Sequence, residues 1–261
     1  MEDKELQINR KKHVLYSKKV KALILDKLNS RYSPSIAENK WEKIQKQYAQ
    51  FLTTLPYLGG KHCRHNGAGG TYDCIALCSY YTVEKTSPYL SNLQKAISEL
   101  YNMNNALFVP SFSRMGKIIN ANSSFSRRIL HLAFRITAKV ESKISKKTSN
   151  INKEDEWPGG GYIMKVAPYD KNRVYYRFNR CPIAEFAKKN NLLPIMPAFC
   201  NGDFPALKEI NASLIRNHTC SNSDFCDFLI VGNNSEDAKN HPIKVSDDGY
   251  IYTDKIDNFQ Y

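Results

Sequence analysis

Ser213-Leu214-Ile215-Arg216-Asn217-His218-Thr219-Cys220, Ser221-Asn222-Ser223-Asp224 and Phe225-Cys226-Asp227-Phe228-Leu229-Ile230-Val231 form the stretch that decides the fold class. Two strand-like runs flank four turn-forming residues, the pattern of an antiparallel hairpin. Side chains alternate across a strand, so Leu214, Arg216, His218 and Cys220 fall on one face. Ile215, Asn217 and Thr219 fall on the other. On the second run Cys226, Phe228 and Ile230 oppose Asp227, Leu229 and Val231.

Upstream, Trp157-Pro158-Gly159-Gly160-Gly161 opens a second hairpin, with strands over 162–166 and 173–179. Residues 182–190 read as a short helix, with Ile183, Phe186 and Ala187 on one face. Before residue 157 the patterns are helical: 4–30, a second helix through Trp41, Ile44, Tyr48 and Leu52 capped by Ser35, then 72–83, 91–103 and 123–147. In the last of these Phe125, Ile129, Leu132, Ile136, Val140 and Ile144 recur at three- and four-residue steps as an apolar stripe. The expected class is α+β, a helical N-terminal half packed on a mostly antiparallel sheet formed by the C-terminal half. The expected organisation is a helical extension over 1–53, an α+β domain over 54–231 with an internal linker at 148–157, and a polar tail over 232–261.

Composition narrows the class further. With 261 residues, 42% apolar and 11% aromatic, the chain has the makeup of a folded globular protein. No run reaches the roughly eighteen apolar residues a membrane helix needs. Met1-Glu2-Asp3-Lys4-Glu5 lacks the start of a signal peptide, so the expected compartment is the cytoplasm. Seven cysteines (63, 74, 78, 181, 200, 220, 226), an odd number without an export signal, read as free thiols. The net charge of +13 is concentrated: residues 114–147 hold nine Lys/Arg against one Asp/Glu. No nucleic-acid module accompanies it, so the expectation is a solvated lysine-rich surface, with neither nucleic acid nor membrane as partner. No oligomeric state is legible.

The chemistry-bearing residues cluster near the C-terminal end. Asp203 with Pro205 fits a helix start with Asp203 as N-cap. The positive end of such a helix, lying near Cys200, would favour a thiolate. Cys200 and Asp203 then form a nucleophile and proton-transfer pair. Arg216 in a strand is a surface charge or a carboxylate ligand, and His218 is a general acid/base or an exposed strand histidine. Asp227 can stand in for Asp203, and Cys226 or Cys181 for Cys200. His62-Cys63-Arg64-His65 with Cys74 and Cys78 has zinc-ligand chemistry but no common zinc spacing, so neither metal nor cofactor is expected. Gly59, Gly60 and Gly67–Gly70 read as turns able to line a pocket.

With these residues in hand, the chain resembles the L-2-amino-thiazoline-4-carboxylic acid hydrolase family. The matching elements are Leu55-Pro56-Tyr57-Leu58-Gly59-Gly60-Lys61, Cys181-Pro182-Ile183, Met196-Pro197 with Cys200-x-x-Asp203, and Leu214-x-Arg216-x-x-Thr219 closing on Cys226-Asp227-Phe228. They follow the family's order over roughly residues 45 to 231. Three departures stand out. His62–His65 intervene before Asn66, Ser221-Asn222-Ser223-Asp224 replace the usual glycines, and His218 and Cys220 stand where the family carries other residues. The resemblance implies a hydrolase that opens a 2-aminothiazoline ring to a carbamoylated cysteine. Its target carbon lies between one sulfur and two nitrogens and resembles an amidinium. The expected site is Cys200, Asp203 and His218 for catalysis, with Arg216, Thr219, Asp227, Gly59, Gly60, Lys61 and Asn66 binding a small carboxylated substrate. The alternative is a non-enzymatic small-molecule sensor of vinyl-reductase-like type.

Overall fold

The computed structural model describes residues 16–53, 68–151 and 162–254. Among the described residues five helices come first: α1 (Lys18–Arg31), α2 (Pro34–Thr53), α3 (Ala68–Glu84), α4 (Leu93–Met115) and α5 (Ser124–Ile151). Strands β1 (Ile163–Val166) and β2 (Arg173–Arg180) follow, then α6 (Pro182–Lys189), a 3-10 turn at Leu193–Ile195, α7 (Pro197–Cys200) and α8 (Asp203–Lys208). Strands β3 (Ala212–Ile215) and β4 (Cys226–Gly232), helix α9 (Glu236–Asn240), β5 (Lys244–Val245) and β6 (Ile251–Tyr252) complete the order. The four-stranded sheet runs β1-β2-β4-β3, antiparallel throughout, and the architecture is α+β as the sequence predicts.

Local chemistry sets the helix boundaries. The Ser17 hydroxyl accepts the Val20 N–H at 3.2 Å and caps α1, which buries Val20, Ile24 and Leu28 at four-residue steps. The predicted helix over 4–30 is thus described only from Lys18. The second helix starts at Pro34, one residue before the predicted cap Ser35, because proline suits the first helical position. Helix α3 begins at Ala68, so Gly69 and Gly70 are helical rather than a turn. Helix α4 runs twelve residues past the predicted end at 103, through Pro110. Helix α5 continues to Ile151, so the predicted linker is helical over 148–151, and the rest of it lies outside the described residues.

Two apolar clusters flank the sheet. On one face Met164, Val174, Tyr176, Leu214, Phe228 and Ile230 pack with Leu130 and Phe134 of α5 and with Phe204 and Leu207 of α8. On the other, Tyr175, Ile215, Leu229 and Val231 gather against Ala238 of α9. The predicted alternation on β4 therefore holds. A third cluster joins α1–α4 to Ile183, Phe186, Met196, Phe199 and Tyr250.

The apolar stripe on α5 is a correction. Phe125, Leu132 and Ile136 are 71%, 57% and 55% exposed, and the buried face carries Arg127, Leu130, His131 and Glu141 instead. Those polar groups are tolerated because backbone partners await them. Arg127 donates to the Ala121 and Lys171 carbonyls at 2.6 and 2.9 Å, and a His131 ring nitrogen lies 3.0 Å from the Ala167 carbonyl.

Candidate active site

A cavity of about 550 Å³ opens between the helices and the sheet. Its walls come from α3, α4 and α5 on one side, and from β2, α6, α7, α8 and the segment after β3 on the other. Cys200, Asp203 and Arg216 all line it, although they arise from the end of α7, the start of α8 and the residue after β3. The volume suits a small molecule.

Arg216 organises one wall. Its side chain is 1% exposed, and its guanidinium lies over the rings of Phe204 and Phe228, at 4.9 and 5.5 Å from their centroids. Nη1 donates to Asp203 Oδ2 at 2.8 Å and Nη2 to the Cys200 carbonyl at 2.7 Å, while buried Nε has no hydrogen-bond partner. Each terminal nitrogen spends one N–H on the protein and keeps a second, so a contact from Arg216 to a ligand carboxylate, as the sequence suggests, requires neither bond to break.

Asp203 is the first residue of α8, following Gly202, and it does not cap the helix through its side chain. The carboxylate turns to Arg216 instead. Burial raises its pKa, and the charge and hydrogen bond of Arg216 oppose the rise.

Cys200 closes α7, and its Sγ lies 3.3 Å from Ser221 Oγ. Burial raises the thiol pKa, with Arg216 and the Ser221 hydroxyl pulling the other way. The expected thiolate is therefore not what this environment favours: helices of four and six residues have little dipole to set against desolvation. Cys74, Cys181, Cys220 and Cys226 share the cavity wall. Burial raises every one of these thiols, Cys220 to about 12.

The segment after β3 departs from the sequence reading at Arg216. Strand pairing stops at Ile215 because Arg216 N–H donates to Thr253 Oγ1 at 3.0 Å and Thr253 N–H to the Arg216 carbonyl at 2.8 Å. The next two amides are captured by one side chain. Asp227 accepts Asn217 N–H at 3.2 Å and His218 N–H at 2.7 Å. Alternation therefore ends there. His218 sits beside Asp227, with 3.7 Å between Nδ1 and Oδ1, and against the Phe225 ring. Neither His218 nor Asp227 lines the cavity. Thr219 is buried next to the thiol, and its hydroxyl donates to Asn222 Oδ1 at 3.0 Å.

Gly59, Gly60, Lys61 and Asn66 lie outside the described residues, as do Cys63 and His65 of the possible zinc cluster. Cys74 and Cys78 share α3, where Cys78 is fully buried.

The structure adds residues that no sequence motif marked. Buried Tyr250 lies next to Ser221, which contacts Cys200, and burial raises the Tyr250 pKa. The Asn201 side chain donates to the Gly249 carbonyl at 2.8 Å and accepts Ile251 N–H at 2.9 Å, which pins the C-terminal segment beside Cys200. Gly249 takes φ of 88°, a left-handed conformation that favours glycine. Only Gly249 and its neighbouring turn residues offered a sequence signal for this return.

A family model described as L-2-amino-thiazoline-4-carboxylic acid hydrolase matches residues 90–230, more than half of the chain. No curated protein and no solved structure matches.

Proposed function

We infer hydrolysis of a small cyclic amidine from the premise that the chain belongs to the L-2-amino-thiazoline-4-carboxylic acid hydrolase family. The observation that carries this reading is the convergence of Cys200, Asp203 and Arg216 on one cavity wall. The substrate class is a 2-aminothiazoline carboxylate or a close relative. The target carbon is attacked either by a water oxygen or by Cys200 Sγ. In both cases the ring C–S bond breaks and the ring sulfur leaves with a proton as a thiol. In the direct route one water is consumed, and its oxygen becomes the carbonyl of a carbamoyl-cysteine. In the covalent route an S-linked isothiourea forms on Cys200, and water then releases the same product and restores the thiol.

Each residue has a task the geometry supports. Asp203 receives the proton of the attacking group, and Arg216 holds the carboxylate in place and stabilises its charged form. Arg216 also fixes the Cys200 backbone through its carbonyl. Ser221 hydrogen-bonds the sulfur. A protonated resting thiol is compatible with this scheme, since Asp203 removes the proton as attack begins.

The test is incubation of purified protein with 2-aminothiazoline-4-carboxylate, followed by mass spectrometry for a product heavier by one water. Cys200→Ala and Asp203→Asn should each lower kcat/KM at least a hundredfold, a typical cost of losing acid–base or nucleophilic catalysis. Cys200→Ser separates the routes: a trapped adduct on the wild type but not on the serine variant marks the covalent one.

One observation favours a binding-only reading. Burial raises the pKa of all five lining thiols, which disfavours a thiolate nucleophile. Saturable binding of the same compound with no product would establish it.

A further inference from the structure

The same cavity has a second polar end, distant from the Arg216–Asp203 pair in its chemistry. Glu141 of α5 lines the cavity and is 3% exposed. Its Oε2 accepts Tyr162 N–H at 3.3 Å, and beside it the Tyr162 and Thr71 hydroxyls share a hydrogen bond of 3.1 Å. Among the described residues the titratable groups lining the cavity on this side are acidic or neutral: Asp73 and Cys74 of α3, Tyr162 and Cys181. Lys139 and Lys143 of α5 and Lys165 of β1 are exposed. On β2, Arg173 pairs with Asp237, Arg177 lies over the Phe225 ring and Arg180 pairs with Glu185. Among the described lining residues the only cation is Arg216, which pairs with Asp203.

A buried carboxyl with no countercharge among the described residues is costly to ionise. Burial accordingly raises Glu141 to about 7, against a lowering by the Tyr162 N–H. Asp73 differs. It is only part-buried, and its Oδ1 accepts Ser17 N–H at 2.6 Å, a tighter bond than the 3.3 Å one on Glu141. Among the described residues Glu141 is the buried lining carboxyl held most weakly by the protein.

We propose that Glu141 binds the positively charged end of the substrate as a carboxylate–amidinium pair, fixing the cation at the α5 wall. Two amidinium N–H groups match two carboxylate oxygens, the geometry of a two-bond ion pair. The reacting carbon is thereby held by its nitrogens, and its sulfur side is left open to Cys200 and Asp203. Binding converts neutral Glu141 to carboxylate, and the proton passes to solvent. The amidine identity rests on the hydrolytic reading; the existence of a cation site does not.

The experiment uses the full chain and benzamidinium, a probe that stays cationic throughout the range and carries no carboxylate for Arg216. Calorimetry in two buffers of different ionisation enthalpy measures proton release. The expected release is about 0.9 proton per ligand at pH 6 and about 0.1 at pH 8, as a carboxyl titrating near 7 requires. Glu141→Gln should abolish the release and weaken binding at least tenfold, and Glu141→Asp should restore part of both. The wild-type pH dependence stands as a test even if a variant misfolds. No binding, or equal binding by wild type and Glu141→Gln without proton release, overturns the site. If the wild type hydrolyses the thiazoline while benzamidinium binding ignores Glu141, this inference falls and the hydrolytic reading stands. If Glu141-dependent proton release occurs without hydrolysis, the hydrolytic reading falls and the cation site stands.

Discussion

Arg216 carries a charge it does not lose, on a side chain 1% exposed, and Asp203 is the carboxylate that meets it. Removing Asp203, itself 28% exposed, leaves the arginine buried and uncompensated. Asp203→Ala should therefore cost about 3–5 kcal/mol in urea unfolding, whereas replacing both residues by apolar ones of similar size should cost much less. Glu141 makes the opposite kind of prediction. Its folded pKa of about 7 lies above the unfolded carboxyl range, so the folded state binds the extra proton. That contribution is fully present below about pH 4 and is lost as pH rises through 7. Glu141→Gln should melt above wild type at pH 8 and close to it at pH 4.5. At this scale the sequence carried Arg216, Asp203 and Cys200, because a strand arginine beside a cysteine and an aspartate has few uses. Glu141 stayed hidden, since one acid among the lysines of an amphipathic helix resembles a surface residue. Burial alone distinguishes it.

Helix α5 shows why apolar periodicity can point the wrong way. Phe125, Ile129, Leu132 and Ile136 form the most regular stripe in the sequence, yet they face outward. Leu130, Phe134 and Ala138 face the sheet, with Arg127 and His131 satisfied by loop carbonyls. Periodicity registers apolar spacing and cannot register a carbonyl waiting in a distant loop. Leu130→Ala should lower stability by about 2–4 kcal/mol, whereas Leu132→Lys should change it by less than about 0.5 kcal/mol. Equal effects in thermal melts would reverse the assignment of faces. The end of α4 offers a second test. A Cβ on Gly116 would stand 2.1 Å from the Glu209 carbonyl oxygen, so Gly116→Ala must push the α4 end away from the α8–β3 turn. A loss of about 1–3 kcal/mol is expected. The first hairpin, by contrast, was legible in the sequence, and so was the alternation on β2 and β4 that matches the two cores they separate. The second hairpin pairs only to Ile215 and not to the predicted turn at 221–224.

Across the whole molecule, the site exists only because distant parts of the chain close on it. The α1–α4 helices share an apolar cluster with Met196, Phe199 and Tyr250, and the segment around residues 249–253 returns to bond Asn201 and Arg216. In the sequence this segment reads as a polar tail, since six acids and no periodicity give no sign of docking. Its contacts are single backbone and side-chain bonds, which no pattern announces. Ending the chain at Asp248 removes buried Tyr250 and Thr253 and should cost about 2–4 kcal/mol in denaturant unfolding. The segment also closes the strand end that presents Arg216, so hydrolysis should suffer with it. The most direct trial of the account is the reaction of purified wild type, Cys200→Ala and Asp203→Asn with 2-aminothiazoline-4-carboxylate, read by mass spectrometry. The account predicts a ring-opened product one water heavier from the wild type and at least a hundredfold less from each variant. Full activity in both variants, or no product from the wild type, would contradict it.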